Sequence, residues 1–450
     1  MAAQGKPKYR SDRQTLACCL RDFLTPAVWR SVHAEVPHWN EEAESWELTT
    51  LILTGLWMAL QDGRQAFTKR FKIARETVRK LREKRKAPGE TLNGYLQAIS
   101  RLPYRALARL RQELRERVAT KHVGLVGGWD CYAVDGSRVE LPRTEAQERT
   151  WGCNREAEAP NLWVTAILHL GTGILCDWRI GPGNSCEREH LQRMLNALPR
   201  WGLIVADIGF GGFEQLSRIQ AQGRYFLIRV CSTTQLLMEG QVEIEADGSK
   251  VWLWPGAQRG QAPLRLRLIR IKPAGNKQEV WLLTNVLDSQ QLSRAQAQEI
   301  YAARWGIEVD VFRSLKQTMG KAKLMGRTPV VVLREFELAL LALMLCQALG
   351  AQAEGQGTEE AQAAYSLARV QELLEHYGAK LRQGRKGWDF SKRLREAVRD
   401  NYSRKKPKGA RRPVKIKEVH APRPPKILVM DESLKRKLDK KLAEGKRDAA

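Results

Sequence analysis

Three carboxylates stand where their chemistry would count: Asp135 in YAVDGSRVELP, Asp207 in LIVADIGFGGF and Glu308 in YAARWGIEVDVFRSLK. Each aspartate closes a short apolar run of the kind that builds a buried strand, and Glu308 falls in an amphipathic helical pattern. A short Asp side chain at a strand end projects past the sheet, and a Glu on a packed helix has the reach to close the site. Carboxylate oxygens are hard ligands that select Mg²⁺ or Mn²⁺ over softer metals. Two such ions held roughly 3.5–4 Å apart activate an attacking oxygen and stabilise a leaving oxygen in phosphodiester cleavage. Singly, each aspartate has an innocent reading, because Asp135-Gly136 and Asp207-Ile208-Gly209 also suit turns. The third segment adds weight. Tyr301, Arg304 and Glu308 are spaced i, i+3, i+7, which puts a phenol, a guanidinium and a carboxylate on one helical face. As a bland alternative that face is solvated, with an Arg304–Glu308 ion pair worth a few tenths of a kcal/mol.

The rest of the chain must position these groups and meet their substrate. The 450 residues carry 76 Lys+Arg against 50 Asp+Glu, a formal charge of +26. Such a balance points to nucleic acid or an anionic membrane surface. The longest apolar stretch, LALLALMLCQAL at 338–349, is too short to span a bilayer and reads as a buried helix. No membrane role is expected. The N-terminus is polar and charged, unlike a secretory signal. The eight cysteines are scattered without CxxC pairs, which suits reduced thiols. The expected compartment is cytoplasmic, associated with the nucleoid.

Residues 14–120 read as helical, and 1–122 as a helical DNA-binding domain. Within it, 64–86 carries eleven Lys/Arg against Glu76 and Glu83. The stretch 67–82 suits either a solvated basic helix or a helix-turn-helix. From about 128 the periodicity changes to strand (ending at Asp135), hairpin (LWVTAILHL and ILCDWRIG), helix, strand, helix, strand. That order predicts a mixed α/β domain over 123–350 with parallel strands at its centre. Alternating segments at 241–254, 263–272 and 279–286 predict antiparallel strands, an all-β insertion at about 232–290. Arg265, Arg267 and Arg270 would line one face of it as a basic stripe. Ser293 and Gln296 form a capping box opening the helix expected to run through Glu308 to about Met319. Residues 351–450 read as helical, then as a basic, partly disordered tail. Its last fifty residues hold 17 Lys and Arg against 6 Asp and Glu, and a short helix fits 431–443.

With these residues in view, the chain resembles a DDE transposase of the insertion-sequence-four group, whose signature is Y-x2-R-x3-E-x6-K. The likeness rests on AVDGSRVELPRT, VADIGFGGFEQL and YAARWGIEV, over roughly 125–345. It implies a ribonuclease H-like catalytic core with an all-β insertion before the Glu helix. It implies that Asp135, Asp207 and Glu308 are catalytic and hold two Mg²⁺ (or Mn²⁺) ions, with Tyr301 and Arg304 touching the DNA backbone. The signature lysine belongs at position 315, where this chain has Leu315, and the nearest candidate is Lys316. A one-residue slip rotates a side chain by about 100° on an α-helix, and a π-bulge would absorb it.

The implied activity is metal-dependent cleavage at element ends followed by attack of the freed 3′-OH on target DNA. The implied partners are element-end and target DNA, with a homodimer in a synaptic complex. Two rivals share the same residues: a metal-dependent nuclease without strand transfer, and an inactive transposase-derived DNA-binding protein.

Overall fold

The computed structural model describes residues 15–39, 46–83, 85–121, 124–152, 159–240, 243–272, 279–353, 365–385, 389–397 and 422–447. Six helices come first: α1 (Leu16–Phe23), α2 (Pro26–Ala34), α3 (Leu48–Leu60), α4 (Phe67–Leu81), α5 (Leu92–Arg101) and α6 (Tyr104–Lys121). Their starts follow local rules. Thr15, Thr25 and Thr91 each accept an amide of the first turn, and Pro26 opens α2. The stretch 67–82 is one continuous helix, α4, so no helix-turn-helix lies within it. Nor is that helix wholly solvated: Phe71, Ala74 and Val78 are buried, and Arg70 is buried beside Glu335 at 3.5 Å.

The strands of the next segment are β1 (Cys131–Glu140), β2 (Asn161–His169), β3 (Ile174–Pro182), β4 (Leu203–Ala206) and β5 (Tyr225–Val230). Helices α7 (Glu145–Trp151), α8 (Glu187–Met194) and α9 (Phe213–Ala221) lie between them. In space the strands run β3-β2-β1-β4-β5. The hairpin β2–β3 and the β1–β2 pair are antiparallel, whereas β1–β4 and β4–β5 are parallel. The expected parallel centre is present.

Four further strands extend the same sheet: β6 (Gln235–Met238), β7 (Ser249–Leu253), β8 (Leu264–Ile271) and β9 (Val280–Thr284). They pair antiparallel in turn, and β9 joins β5 antiparallel. Residues 273–278, between β8 and β9, lie outside the described residues. The basic stripe does not form. Arg267 is 1% exposed, with a guanidinium N–H given to the Leu292 carbonyl, whereas Arg265 on the same face is exposed. Arg270, an odd number of residues away, belongs to the opposite face.

Beyond the sheet come α10 (Arg294–Ala303), a π-helix (Ile307–Thr318), α11 (Pro329–Ala353), α12 (Leu367–Arg382) and α13 (Phe390–Arg395). The C-terminal segment then adds β10 (Lys426–Val429), parallel to β6 at the sheet's end, and α14 (Glu432–Arg447). Part of the tail expected to lack structure is therefore a strand and a helix. The short helix expected at 431–443 is met by α14, which starts one residue later and runs to Arg447. Residues 401–421 lie outside the described part.

Two buried clusters sandwich the sheet. One joins its near face to α11 and the N-terminal helices, and the other joins its far face to α8 and α9. Leu340, Leu341 and Leu343 of α11 are wholly buried, each worth roughly 1.5–3 kcal/mol in apolar burial. Gly55 lets α3 approach this helix: a Cβ there would lie 2.5 Å from Leu338 Cδ1 and 2.7 Å from the Tyr95 hydroxyl. Among the described residues no helix is long and apolar enough to cross a membrane. The described cysteines are all free thiols, and Cys153 lies outside the described part.

Candidate active site

Strand register builds the site. The parallel ladder between β1 and β4 ends at the pair Val134–Ala206, so the next residues are Asp135 and Asp207. Their carboxylates leave neighbouring chains spaced about 4.8 Å apart. Asp135 is not at a strand end, as expected, but in mid-strand: β1 continues to Glu140 along β2. What ends there is β4. Its chain turns away into a short 3₁₀ turn, with Asp207 Oδ1 accepting the Ile208 amide at 2.9 Å. That divergence opens a crevice at the carboxyl ends of the parallel strands, the usual ligand position in open α/β sheets.

The helix expected to carry Tyr301, Arg304 and Glu308 is two pieces. Ser293 and Gln296 form the capping box, α10 ends at Ala303, and Glu308 stands in the first turn of the π-helix. The wider ladder shows in Met319 N–H donating to the Ser314 carbonyl, five residues back, at 2.9 Å. Both pieces face the crevice. The Tyr301 hydroxyl donates to Asp207 Oδ1 at 3.3 Å, and Arg304 Nη1 is 3.8 Å from Asp135 Oδ2. The Arg304 guanidinium lies over the Tyr301 ring, 5.4 Å from its centroid. Its Nε is buried without a hydrogen-bond partner, leaving donor capacity for a further acceptor.

Lys316 reaches the same place. Its Nζ donates to the Ser137 hydroxyl at 2.7 Å, two residues along β1 from Asp135. The π-type ladder spends more residues per turn than an α-helix, so a lysine eight residues after Glu308 faces as a seventh would in an α-helix. Leu315, at the signature position, is 1% exposed and packed into the core.

The electrostatics agree with this convergence. Burial raises the Asp135 carboxyl above the ordinary aspartate range, and Glu308 and Asp207 raise it further. The Gly136 amide and Arg304 act the other way. Burial, then Asp207, pushes the Tyr301 phenol up to about 12, so it remains a donor at neutral pH. Burial lowers the Lys316 amine.

Two contributors escaped the sequence reading. Glu187, in the first turn of α8, is a fourth carboxylate in this field. Burial raises its carboxyl, and Asp135 and Asp207 raise it further. It crosses the backbone of Gly209, where a Cβ would meet Glu187 Oε1 at 2.1 Å. Arg229 follows the β4–β5 rung Ala206–Ile228, and its Nη1 lies 3.9 Å from Asp207 Oδ1. A charged residue inside the apolar run RYFLIRV was the available signal for Arg229. Glu187 had none, because only the strand order brings α8 to this crevice.

Among the described residues no three His, Cys, Asp or Glu side chains are drawn together closely enough to hold an ion as they stand. The donor set nevertheless fits hard cations. Asp135, Asp207 and Glu308 bring acidic oxygens to one crevice where Asp135 is held against its neighbours' charge, and a divalent ion there would relieve the repulsion.

Residues 129–345 match the family model described as the transposase DDE domain. Over that segment, just under half of the chain, the protein is similar to DDE transposase domains. Among solved structures, the cryo-EM structure of the piggyBac transposase synaptic complex with hairpin DNA aligns over 87% of this chain and 86% of that one. The identity is 11% and the TM-score 0.41. No curated protein matches the chain.

Proposed function

We propose that this chain is a DDE transposase of the insertion-sequence-four group, cutting DNA at element ends and joining the freed 3′-OH to target DNA. The observation that carries this reading is the meeting of Asp135 and Asp207 on adjacent strands with Tyr301 and Arg304 from the facing helix. Asp135, Asp207 and Glu308 would hold two Mg²⁺ or Mn²⁺ ions. When bound there, the ions supply activation of the attacking oxygen and charge stabilisation at the leaving oxygen.

The chain's own residues do the rest. Arg304, with an unused buried donor, takes a phosphate oxygen beside the carboxylates. Lys316 adds a compact positive charge on the β1 side. Tyr301 fixes the orientation of Asp207 through its hydroxyl. The basic surfaces add sequence-independent affinity that falls with salt. A synaptic homodimer on DNA is the expected working assembly.

The test uses the full chain and a labelled duplex carrying the inverted repeat that flanks its gene. With Mg²⁺ present, the wild type should nick this duplex and join the 3′-OH end to a second DNA. Asp135→Ala, Asp207→Ala and Glu308→Ala should each abolish cutting and leave binding intact. Cutting that survives any of the three changes removes that residue from the assignment. Cutting without joining would leave a nuclease.

A further inference from the structure

A second basic site lies at the opposite end of the sheet from β10, outside the carboxylate crevice. The edge strand β3 forms its floor, α6 one wall, and the end of α8 with the turn at 195–197 the other. The cleft encloses about 450 Å³ and is lined by Arg105, Arg109, Arg111, Arg115, Arg179 and Arg193, with Glu35 and Asp177 as its acids. Six guanidinium groups thus face two carboxylates.

Half of these cations are committed. Arg111 is buried between Asp177 at 3.2 Å and Glu337 at 3.8 Å, Arg115 pairs with Asp177 at 3.3 Å, and Arg109 pairs with Glu113 at 2.9 Å. The other half differ. Arg105 and Arg193 are exposed, and neither they nor Arg179 shows an ion pair among the described residues. Arg179 gives one N–H to the Arg193 carbonyl at 3.3 Å, and its buried Nε has no partner. Their field reaches inward: after burial, Arg193 and Arg179 hold the His190 imidazole below its ordinary range.

We propose that this cleft binds the phosphate backbone of a DNA strand that continues beyond the carboxylates. On α6, Arg105, Arg109, Gln112 and Arg115 recur at helical spacing, a polar stripe about 15 Å long. At about 3.4 Å of helix axis per phosphate of one strand, it faces roughly four phosphates. Arg179 lies two strands from Asp135, in the adjacent cross-strand row that faces the other side of the sheet. Thr165 pairs with both Arg179 and Gly136, the neighbour of Asp135. Two strand spacings, about 10 Å, separate the cleft's floor from the catalytic strand. Guanidinium groups suit phosphate oxygens because their fork donates two parallel hydrogen bonds. Taking DNA as the anion rests on the transposase reading; the cleft's affinity for a polyanion does not.

The experiment measures binding of a short fluorescein-labelled duplex to the full chain across a salt series in EDTA, alongside Mg²⁺-dependent cutting. Arg105→Glu/Arg193→Glu is compared with Lys392→Glu/Arg395→Glu on α13. All four positions are exposed, and melting curves check the fold. The cleft pair should weaken binding at least about tenfold and flatten the slope of log K against log salt by about two units. The α13 pair should change both much less. Equal losses in the two pairs, or no loss in the cleft pair, would overturn the proposal. So would a changed oligomeric state with DNA affinity intact, which makes the cleft a protein contact. If the wild type cuts nothing but the cleft pair still governs affinity, the transposase reading fails and the cleft stands.

Discussion

The amine of Lys316 lies 2.7 Å from the hydroxyl of Ser137, on the strand that carries Asp135. The contact exists because the segment after Glu308 is wound as a π-helix, which turns the eighth residue rather than the seventh toward β1. Lys316→Met should therefore lower the cutting rate roughly 100- to 1,000-fold, the scale of losing one positioned donor, with little change in duplex affinity. Leu315→Lys should not compensate. It puts an unpaired charge at a position 1% exposed, and should destabilise the fold by roughly 3 kcal/mol or more. Single-turnover cutting and urea denaturation separate the two. A cutting rate left at the wild-type level in Lys316→Met would remove the lysine from the site.

Glu187 leads to a metal-linked prediction. Its carboxyl is raised by burial and then by Asp135 and Asp207, so removing the charge relieves repulsion in the metal-free protein. Glu187→Gln should melt about 1–3 °C higher in EDTA, since 1 kcal/mol moves a domain of this size by roughly that range. It should also gain less stability than the wild type from added Mg²⁺, because fewer anionic ligands remain to favour the folded, ion-bound state. Melting curves across a Mg²⁺ titration read both effects. Identical Mg²⁺ responses in the two proteins would place Glu187 outside the ion site.

The apolar runs before Asp135 and Asp207 were readable because such runs are local. Ser293 announced its helix start in the same way. What could not be read was set by pairing across long sequence distances. Asp135 looked like a strand end because β1 shares its parallel partner only as far as Val134 and then continues with β2. Glu187 and Arg229 join the crevice only through the order in which β3, β4 and β5 are laid down. Arg267 looked like an exposed base, and only the chain that comes over β8 at Leu292 accounts for its burial. The Lys316 register depended on π winding. The spacing mismatch raised that possibility, but the ladder itself was needed to settle it.

A buried ion network ties the N-terminal helices to the sheet. Glu337 on α11 is 0% exposed; it accepts from the Tyr104 hydroxyl at 2.5 Å and the Trp178 indole at 2.9 Å, and lies 3.8 Å from Arg111. Arg111 also holds Asp177. Removing one member leaves the others' charge buried and unpaired. Glu337→Ala should cost roughly 3–5 kcal/mol, while Glu337→Gln, which keeps acceptors for Tyr104 and Trp178, should cost less. Urea denaturation measures both. A Glu337→Ala loss under about 1 kcal/mol would show that water or a shifted side chain already satisfies the network.

Lys321 follows the π-helix and sits beneath α3, its Nζ donating to the Gln61 carbonyl at 3.1 Å. Burial, with Arg70 adding to it, lowers its amine from the ordinary lysine range to about 7; Glu335, Asp62 and Glu375 act the other way without restoring it. In the unfolded chain the amine titrates near 10.4. Well above that pH it is neutral in both states and costs nothing. As pH falls from about 10.4 to about 7 the unfolded chain takes up the proton and the folded chain does not, so stability declines. Below about 7 both states are protonated and the penalty is constant. Lys321→Met removes this dependence. The wild type should therefore gain stability relative to the variant as pH rises from about 7 to 9, on the order of 1 kcal/mol per pH unit. Urea denaturation of both proteins at several pH values in that window is the measurement. A stability difference that stays flat across the window means that Lys321 is protonated in the folded chain, and the buried-amine account is then wrong.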